Sequence, residues 1–171
     1  MRGVEIVSGA GLEPGTVAPD FDLPVLRSGV KGRLRLSEEL LDHCAVLAFY
    51  PGNWEEASTQ QMRTYQAALE TLRARQATVV AICVDSIMNT TVWEREIGPF
   101  DFPLCSDFWP HGEVSRAYEV LRTGGPGLGH CERAVFVIGR SGSILFRKLY
   151  RDQEAPPMAD IFEVLAECVK R

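Results

Sequence analysis

Residues 49–61, FYPGNWEEASTQQ, run from a short apolar stretch into a proline turn, two adjacent acids and a serine placed to open a helix. A helix start presents unpaired N–H groups that favour negative charge, so this layout can activate one atom. Ser58 is the obvious atom, and two chemistries compete for it. As a nucleophile it needs a base and an oxyanion site. No Gly-x-Ser-x-Gly surrounds it, and no histidine lies close by in sequence. As a helix cap it fits better: STQQ matches the Ser/Thr-x-x-Glu/Gln capping box, a feature worth about 1 kcal/mol. That reading places the Ser58 hydroxyl at the Gln60 or Gln61 amide. Glu55 and Glu56 read as two acids near a helix start, either solvated or engaged by a cation.

The chain has five cysteines, at 44, 83, 105, 131 and 168. An odd number with no Cys-x-x-Cys pair suits a reducing compartment rather than a disulfide framework. Cys83 and Cys105 read as small core residues, Cys44 as the start of a strand, and Cys168 as part of a final helix. Cys131 stands apart. It reads as a loop residue beside His130 and two residues before Arg133, so a cationic setting would lower its thiol pKa. It is therefore either an ordinary loop thiol or a relocated redox group. The three histidines are too scattered to form a zinc motif.

The elements that must position these residues can be read from periodicity. AVLAFY (45–50) and TVVAICV (78–84) are continuous apolar runs of strand length. Between them Met62, Tyr65, Leu69 and Leu72 recur at helical spacing. Strand, helix, strand reads as a βαβ unit with buried parallel strands. Residues 13–24 read as extended, and GRLRL alternates before Ser37, a candidate helix cap. Residues 88–98 and 111–121 read as short helices. RAVFVIGRSGSILFRKLY reads as a hairpin around Arg140-Ser141-Gly142, and PPMADIFEVLAECVKR as a closing helix. The stretches 98–110 and 124–129 read as loops; GGPGLG lacks the Lys-Ser/Thr of a phosphate loop. A three-layer α/β fold with a mixed sheet follows, with residues 1–171 as one domain.

With 171 residues, net charge −5 and 46% hydrophobic residues, the composition is that of a soluble globular protein. It offers no long-range attraction for nucleic acid or anionic membrane. No stretch has signal or membrane-spanning length, so a cytoplasmic location is expected. No cofactor is called for.

Several separate stretches resemble the peroxiredoxins, the alkyl hydroperoxide reductase / thiol-specific antioxidant (AhpC/TSA) family. GTVAPDFDLP, VLAFYPGNW, DFPLCSDFWPHGEVSRAYEVL and RAVFVIGRSGSI fall in that family's order and spacing. DFWPHGEVSRAYEV is most similar to the bacterial one-cysteine subgroup. The resemblance spans roughly residues 11 to 165 and implies a thioredoxin-like fold. It also implies a site. The family motif Pro-x-x-x-Thr/Ser-x-x-Cys, completed by an arginine before a late strand, lies on Pro51, Glu55, Ser58 and Arg133. Ser58 thus stands at the peroxidatic cysteine position, and Glu55 at the Thr position.

Peroxide reduction needs a thiolate that becomes a sulfenic acid. A serine hydroxyl is far less acidic and has no such oxidised state. An ionised Glu55 only accepts hydrogen bonds, where the family hydroxyl can also donate. The resemblance therefore implies a degenerate peroxidatic site on a retained scaffold used for binding or interaction. The alternative is a thiol-dependent peroxidase using another cysteine, such as Cys131, with an external thiol reductant. A homodimer is expected, built on parts of Pro51–Trp54 or Phe108–His111. Arg133 is expected to pair with Glu55, or else to hold a small anion or hydroperoxide-like ligand.

Overall fold

The computed structural model describes residues 12–168. Seven strands form one sheet in the order β2-β1-β5-β4-β3-β6-β7. They are β1 (Asp22–Arg27), β2 (Val30–Arg35), β3 (Cys44–Phe49), β4 (Ala77–Cys83), β5 (Leu104–Ser106), β6 (Arg133–Ile138) and β7 (Ile144–Tyr150). The helices are α1 (Leu36–Glu39), α2 (Glu56–Ala74), α3 (Ile87–Ile97), α4 (Glu113–Ala117) and α5 (Met158–Cys168). β3, β4 and β5 run parallel, while β6, β7, β1 and β2 add antiparallel neighbours, so the sheet is mixed. The expected central strands and the helix between them are all present, and the fold is α/β of thioredoxin-like type.

The central strands are apolar throughout because both faces are covered. Alternate residues of β3 go to opposite sides. Cys44, Val46 and Ala48 join Met62, Tyr65, Leu69 and Leu72 of α2, Trp93 of α3, and Ile161 and Leu165 of α5. Ala45, Leu47 and Phe49 join Leu36, Leu40, Val114 and Tyr118 on the other face. The period of two along each strand thus fixes which helix each side chain meets.

Four local expectations need correction. The stretch 98–110 is not all loop, since Leu104–Ser106 form β5 beside β4. The extended reading of 13–24 missed β1, whose last residues pair with both β2 and β5. The helix expected over 111–121 is only Glu113–Ala117; Asp107 anchors its start by accepting from the Val114 and Ser115 amides. Ser37 does not cap α1; its own amide donates to the Asp20 carboxylate at 2.9 Å.

On the α4 face three buried rings pack together. Phe49, Tyr118 and Phe136 have centroid separations of 5.3, 5.8 and 5.1 Å. Each is 0% exposed, so a truncation cannot be refilled by water-facing side chains. Phe136→Ala is expected to cost about 3–5 kcal/mol in urea unfolding, and Phe136→Leu clearly less. Equal losses for the two variants would mean that the ring cluster is not closely packed.

Candidate active site

The chain leaves β3 through Tyr50 and Pro51 and turns into α2. Trp54 holds the turn with a left-handed φ of 65°. Asn53 pins it, its amide donating to Asp85 Oδ2 at 2.7 Å and its side-chain amide to Asn89 and Thr90. His130 Nδ1 donates to the Pro51 carbonyl at 2.9 Å. A Cβ on Gly52 would sit 3.4 Å from Asp85 Oδ2, so the absence of a side chain there lets the turn lie against Asp85.

Glu55 is the N-cap residue of α2 in backbone terms, and its side chain makes no cap bond. Ser58 is therefore in the first turn but three residues past the cap. Its hydroxyl does not meet the Gln60 or Gln61 amide; it donates to Glu55 Oε2 at 2.6 Å. The capping-box expectation fails because the helix starts two residues earlier than STQQ suggests, which places Ser58 on the buried face.

Arg133, the first residue of β6, closes the site from the sheet and is 0% exposed. Its Nη2 donates to Glu55 Oε2 at 2.8 Å, the contact the sequence led us to expect. Its Nη1 donates to Gln61 Oε1 at 2.6 Å, and both Nη atoms lie 3.3 Å from Ser58 Oγ. The Asp152 carbonyl accepts from Nε at 3.2 Å and from Nη2 at 2.9 Å. A guanidinium has five N–H donors, and these four groups supply an acceptor for every one. Ser58 Oγ is likewise satisfied, donating to a carboxylate while facing the cation. Gln61 is held in turn, its Nε2 donating to Tyr65 at 2.9 Å. Gln61 and Asp152 were not singled out in the sequence. Gln61 shares the Met62–Tyr65 face and could have been found there; a backbone carbonyl leaves no sequence signal.

The site has little capacity for serine chemistry. The Ser58 partner is Glu55, whose oxygen is shared with Arg133, and His130 is engaged with Pro51. Cys131 corrects a second expectation. It is not an exposed loop thiol: it bridges to Leu121, is 0% exposed, and donates from Sγ to the Tyr50 carbonyl at 2.8 Å. Burial pushes its thiol well above the ordinary range, and the nearby Cys83 and Asp107 add to the shift. The cationic neighbours read from sequence do not offset this. Arg133 is spent on the Ser58 cluster, and burial outweighs the small lowering from Arg122. The Gly-rich run 124–129 is a turn closed by Gly129 N to Arg122 O at 2.9 Å and Arg122 N to His130 O at 2.8 Å.

Beside this turn lies a cleft of 330 Å³ lined by Asp85, Asn89, Phe108, His111, Leu128 and His130 among others. Among the described residues no group of three or more His, Cys, Asp or Glu side chains is arranged to hold a metal ion. Nor is any described helix long and apolar enough to cross a membrane.

The chain matches the AhpC/TSA family over residues 14–147. It belongs to that family. It is 30% identical over 149 residues to alkyl hydroperoxide reductase E of Mycobacterium tuberculosis, covering 84% of this chain and 89% of that protein. It is 28% identical over 136 residues to the chloroplastic 2-cysteine peroxiredoxin of Chattonella marina var. antiqua, covering 76% of this chain and 67% of that protein. In fold it is similar to the reduced 2-Cys peroxiredoxin of Plasmodium vivax, with TM-score 0.82 at 19% identity over 90% of this chain and 80% of that one. Mycobacterium tuberculosis AhpC gives TM-score 0.80 at 19% identity, over 91% and 92% of the two chains.

The geometry predicts what removal of Glu55 does. Its side chain is 34% exposed, so water would meet part of the deficit. Glu55→Ala is expected to cost about 1–3 kcal/mol, because it leaves a buried cation short of its anion. The variant should also gain an anion site. Sulfate should raise its Tm more than it raises that of the unmodified protein, beyond the general salt effect. An identical sulfate response in the two proteins would show that Glu55 does not neutralise Arg133.

Proposed function

We propose that this AhpC/TSA protein carries a degenerate peroxidatic site, with Ser58 at the cysteine position and Glu55 at the Thr position, and serves as a binding or interaction scaffold with little or no hydroperoxide reductase activity. The observation that carries this reading is the saturation of Arg133. In a site that reduces peroxide, an arginine of this placement has to turn donors toward a thiolate and a peroxide oxygen. Here every N–H is taken by Glu55, Ser58, Gln61 or Asp152. Glu55 acts as an internal anion that occupies the place a substrate would need. Ser58 cannot supply the missing sulfur. The one-cysteine subgroup assignment rests on the same alignment of Pro51, Glu55, Ser58 and Arg133.

The relatives named as alkyl hydroperoxide reductase and peroxiredoxin favour retained peroxidase activity through another thiol. Cys131 does not support it, being fully buried and stabilised as the neutral thiol.

The scaffold reading includes a homodimer. Trp54, Phe108, Trp109 and Leu128 are 51%, 52%, 79% and 65% exposed. They surround one cleft: Phe108 and Leu128 line it with Asn89, and Trp54 Nε1 donates to Asn89 Oδ1 at 3.0 Å. Large exposed aromatics gathered in this way mark an interaction surface, and a second copy is the occupant we assign. The acidic charge, Ser86 and Asn89 leave its rim polar, as protein interfaces are. A cytoplasmic setting, with its reducing thiols, suits five unpaired cysteines.

Two measurements test these readings. Ser58→Cys with Glu55→Thr should raise thiol-dependent hydroperoxide consumption by roughly tenfold or more over the unmodified protein, an effect above about 1.4 kcal/mol in barrier. Ser58→Cys alone should recover little, since Glu55 would repel the new thiolate and raise its pKa. Equal rates for the single and double variants would show that Glu55 is no obstacle. Unmodified protein as fast as the double variant would overturn the degenerate-site reading. In sedimentation the protein should run with the mass of two chains at micromolar concentration, and Trp109→Glu should shift it toward one. A one-chain mass for the unmodified protein would remove the dimer.

A further inference from the structure

Cys44 and Cys168 form a pair that the Ser58 site does not use. Cys44 opens β3, Cys168 ends α5, and α5 packs on β3. Both side chains lie in the same apolar layer, 1% and 9% exposed. Their thiols are hydrogen-bonded to each other. Cationic and polar groups converge on the same point. The β3–β6 register sets Ala45 against Ile138, which brings the turn after β6 beside Cys44. The Arg140 amide faces the Cys44 sulfur, and the Arg140 guanidinium is held nearby by donating to the Leu41 carbonyl at 3.0 Å.

We propose that Cys44 and Cys168 are a dithiol redox couple, oxidised by hydrogen peroxide or a small hydroperoxide to an intramolecular disulfide, independently of the Ser58 site. The Cys44 thiolate attacks the O–O bond. An S–O bond forms, the O–O bond breaks, and the leaving oxygen takes a proton to become water or an alcohol. Cys168 then attacks the sulfenic sulfur of Cys44. The S–S bond forms, the S–O bond breaks, and hydroxide leaves as water with the Cys168 proton. Two thiols lose two electrons in total, and one peroxide gains them. A small dithiol returns the pair to the reduced state by thiol–disulfide exchange.

The roles follow from the surroundings. The hydrogen bond from Cys168 lowers the Cys44 thiol to about 7, against the cost of burial, and the Arg140 amide and charge add to the lowering. Cys168 is raised for the same reason: it keeps the proton that the pair shares, and burial adds to the shift. The other three cysteines have no such help. Each is 0% exposed, and burial is the first cause that raises Cys83, Cys105 and Cys131. The low exposure of Cys44 selects a small oxidant. The disulfide would tie the end of α5 to the sheet and close a loop of more than a hundred residues, which restricts the unfolded chain strongly.

The test uses the full chain, fully reduced, then treated with hydrogen peroxide without reductant and quenched by alkylation. The expected product has lost two hydrogens in mass and yields one cross-linked peptide pair joining Cys44 to Cys168. Its Tm should rise by roughly 5 °C or more, and dithiothreitol should reverse the rise. Cys168→Ala, a change at a helix end, should abolish the cross-link and leave Cys44 as a sulfenic acid that a 1,3-diketone traps. Alkylation of Cys44 in the reduced protein should follow a thiolate titration centred near 7, ahead of Cys83, Cys105 and Cys131. Recovery of Cys44 and Cys168 both alkylated after peroxide would overturn the proposal, as would a disulfide joining two chains. The Ser58→Cys, Glu55→Thr protein should form the same cross-link, which separates this result from the fate of the Ser58 reading.

Discussion

A guanidinium with no exposed surface sets the terms for this end of the molecule. Arg133 cannot shed its proton, and an unpaired cation out of water is too costly to keep. Five N–H donors therefore need five acceptors within the protein. The carboxylate of Glu55, the hydroxyl of Ser58, the amide oxygen of Gln61 and the carbonyl of Asp152 meet that need. Three of these groups sit on the first turns of α2 or at its cap, so the helix start cannot move without stranding the arginine. The N-terminus of a 19-residue helix also favours an anion at Glu55, so helix and arginine act on the same carboxylate.

That demand explains why the capping box was misleading. A Ser-x-x-Gln pattern at a helix start satisfies backbone N–H groups when the turn is exposed. Here Ser58 and Gln61 are 0% and 1% exposed and face a charge. A charged donor outcompetes a backbone amide for the same oxygen. The Glu55–Arg133 pair was legible because both residues could be placed by motif and both had unmet needs. Asp152, Gln61 and the burial of Cys131 were not. They depend on which way neighbouring side chains point, and residues 130, 131 and 133 are close in sequence but serve different partners.

The same reasoning covers the fold. Central strands β3, β4 and β6 were readable because two-faced burial leaves an unbroken apolar run. β1 and β5 were hidden for separate reasons. β1 contains Pro24, which lacks a ladder donor, but β5 pairs only with Val25 and Leu26, so the proline lies beyond that contact. β5 is three residues long and sits between prolines and acids, too short to show a period. Both strands exist because of tertiary pairing rather than local pattern.

The two thiol settings show how position along one strand decides reactivity. In an open α/β sheet, ligands bind beyond the carboxyl ends of the strands, where helix N-termini point. β3 leads to that end through Pro51, and there the chain's own carboxylate fills the place. Cys44 lies at the opposite end, where no helix N-terminus is directed at it. Any stabilisation of a thiolate must come from single groups, and the Cys168 thiol, the Arg140 amide and the Arg140 charge provide it. Cys83, Cys105 and Cys131 lie deeper in the same fold with no comparable donors, and burial alone sets their behaviour. A cysteine in this protein is thus poised or inert according to whether a donor reaches it, since nearly all are buried to a similar degree.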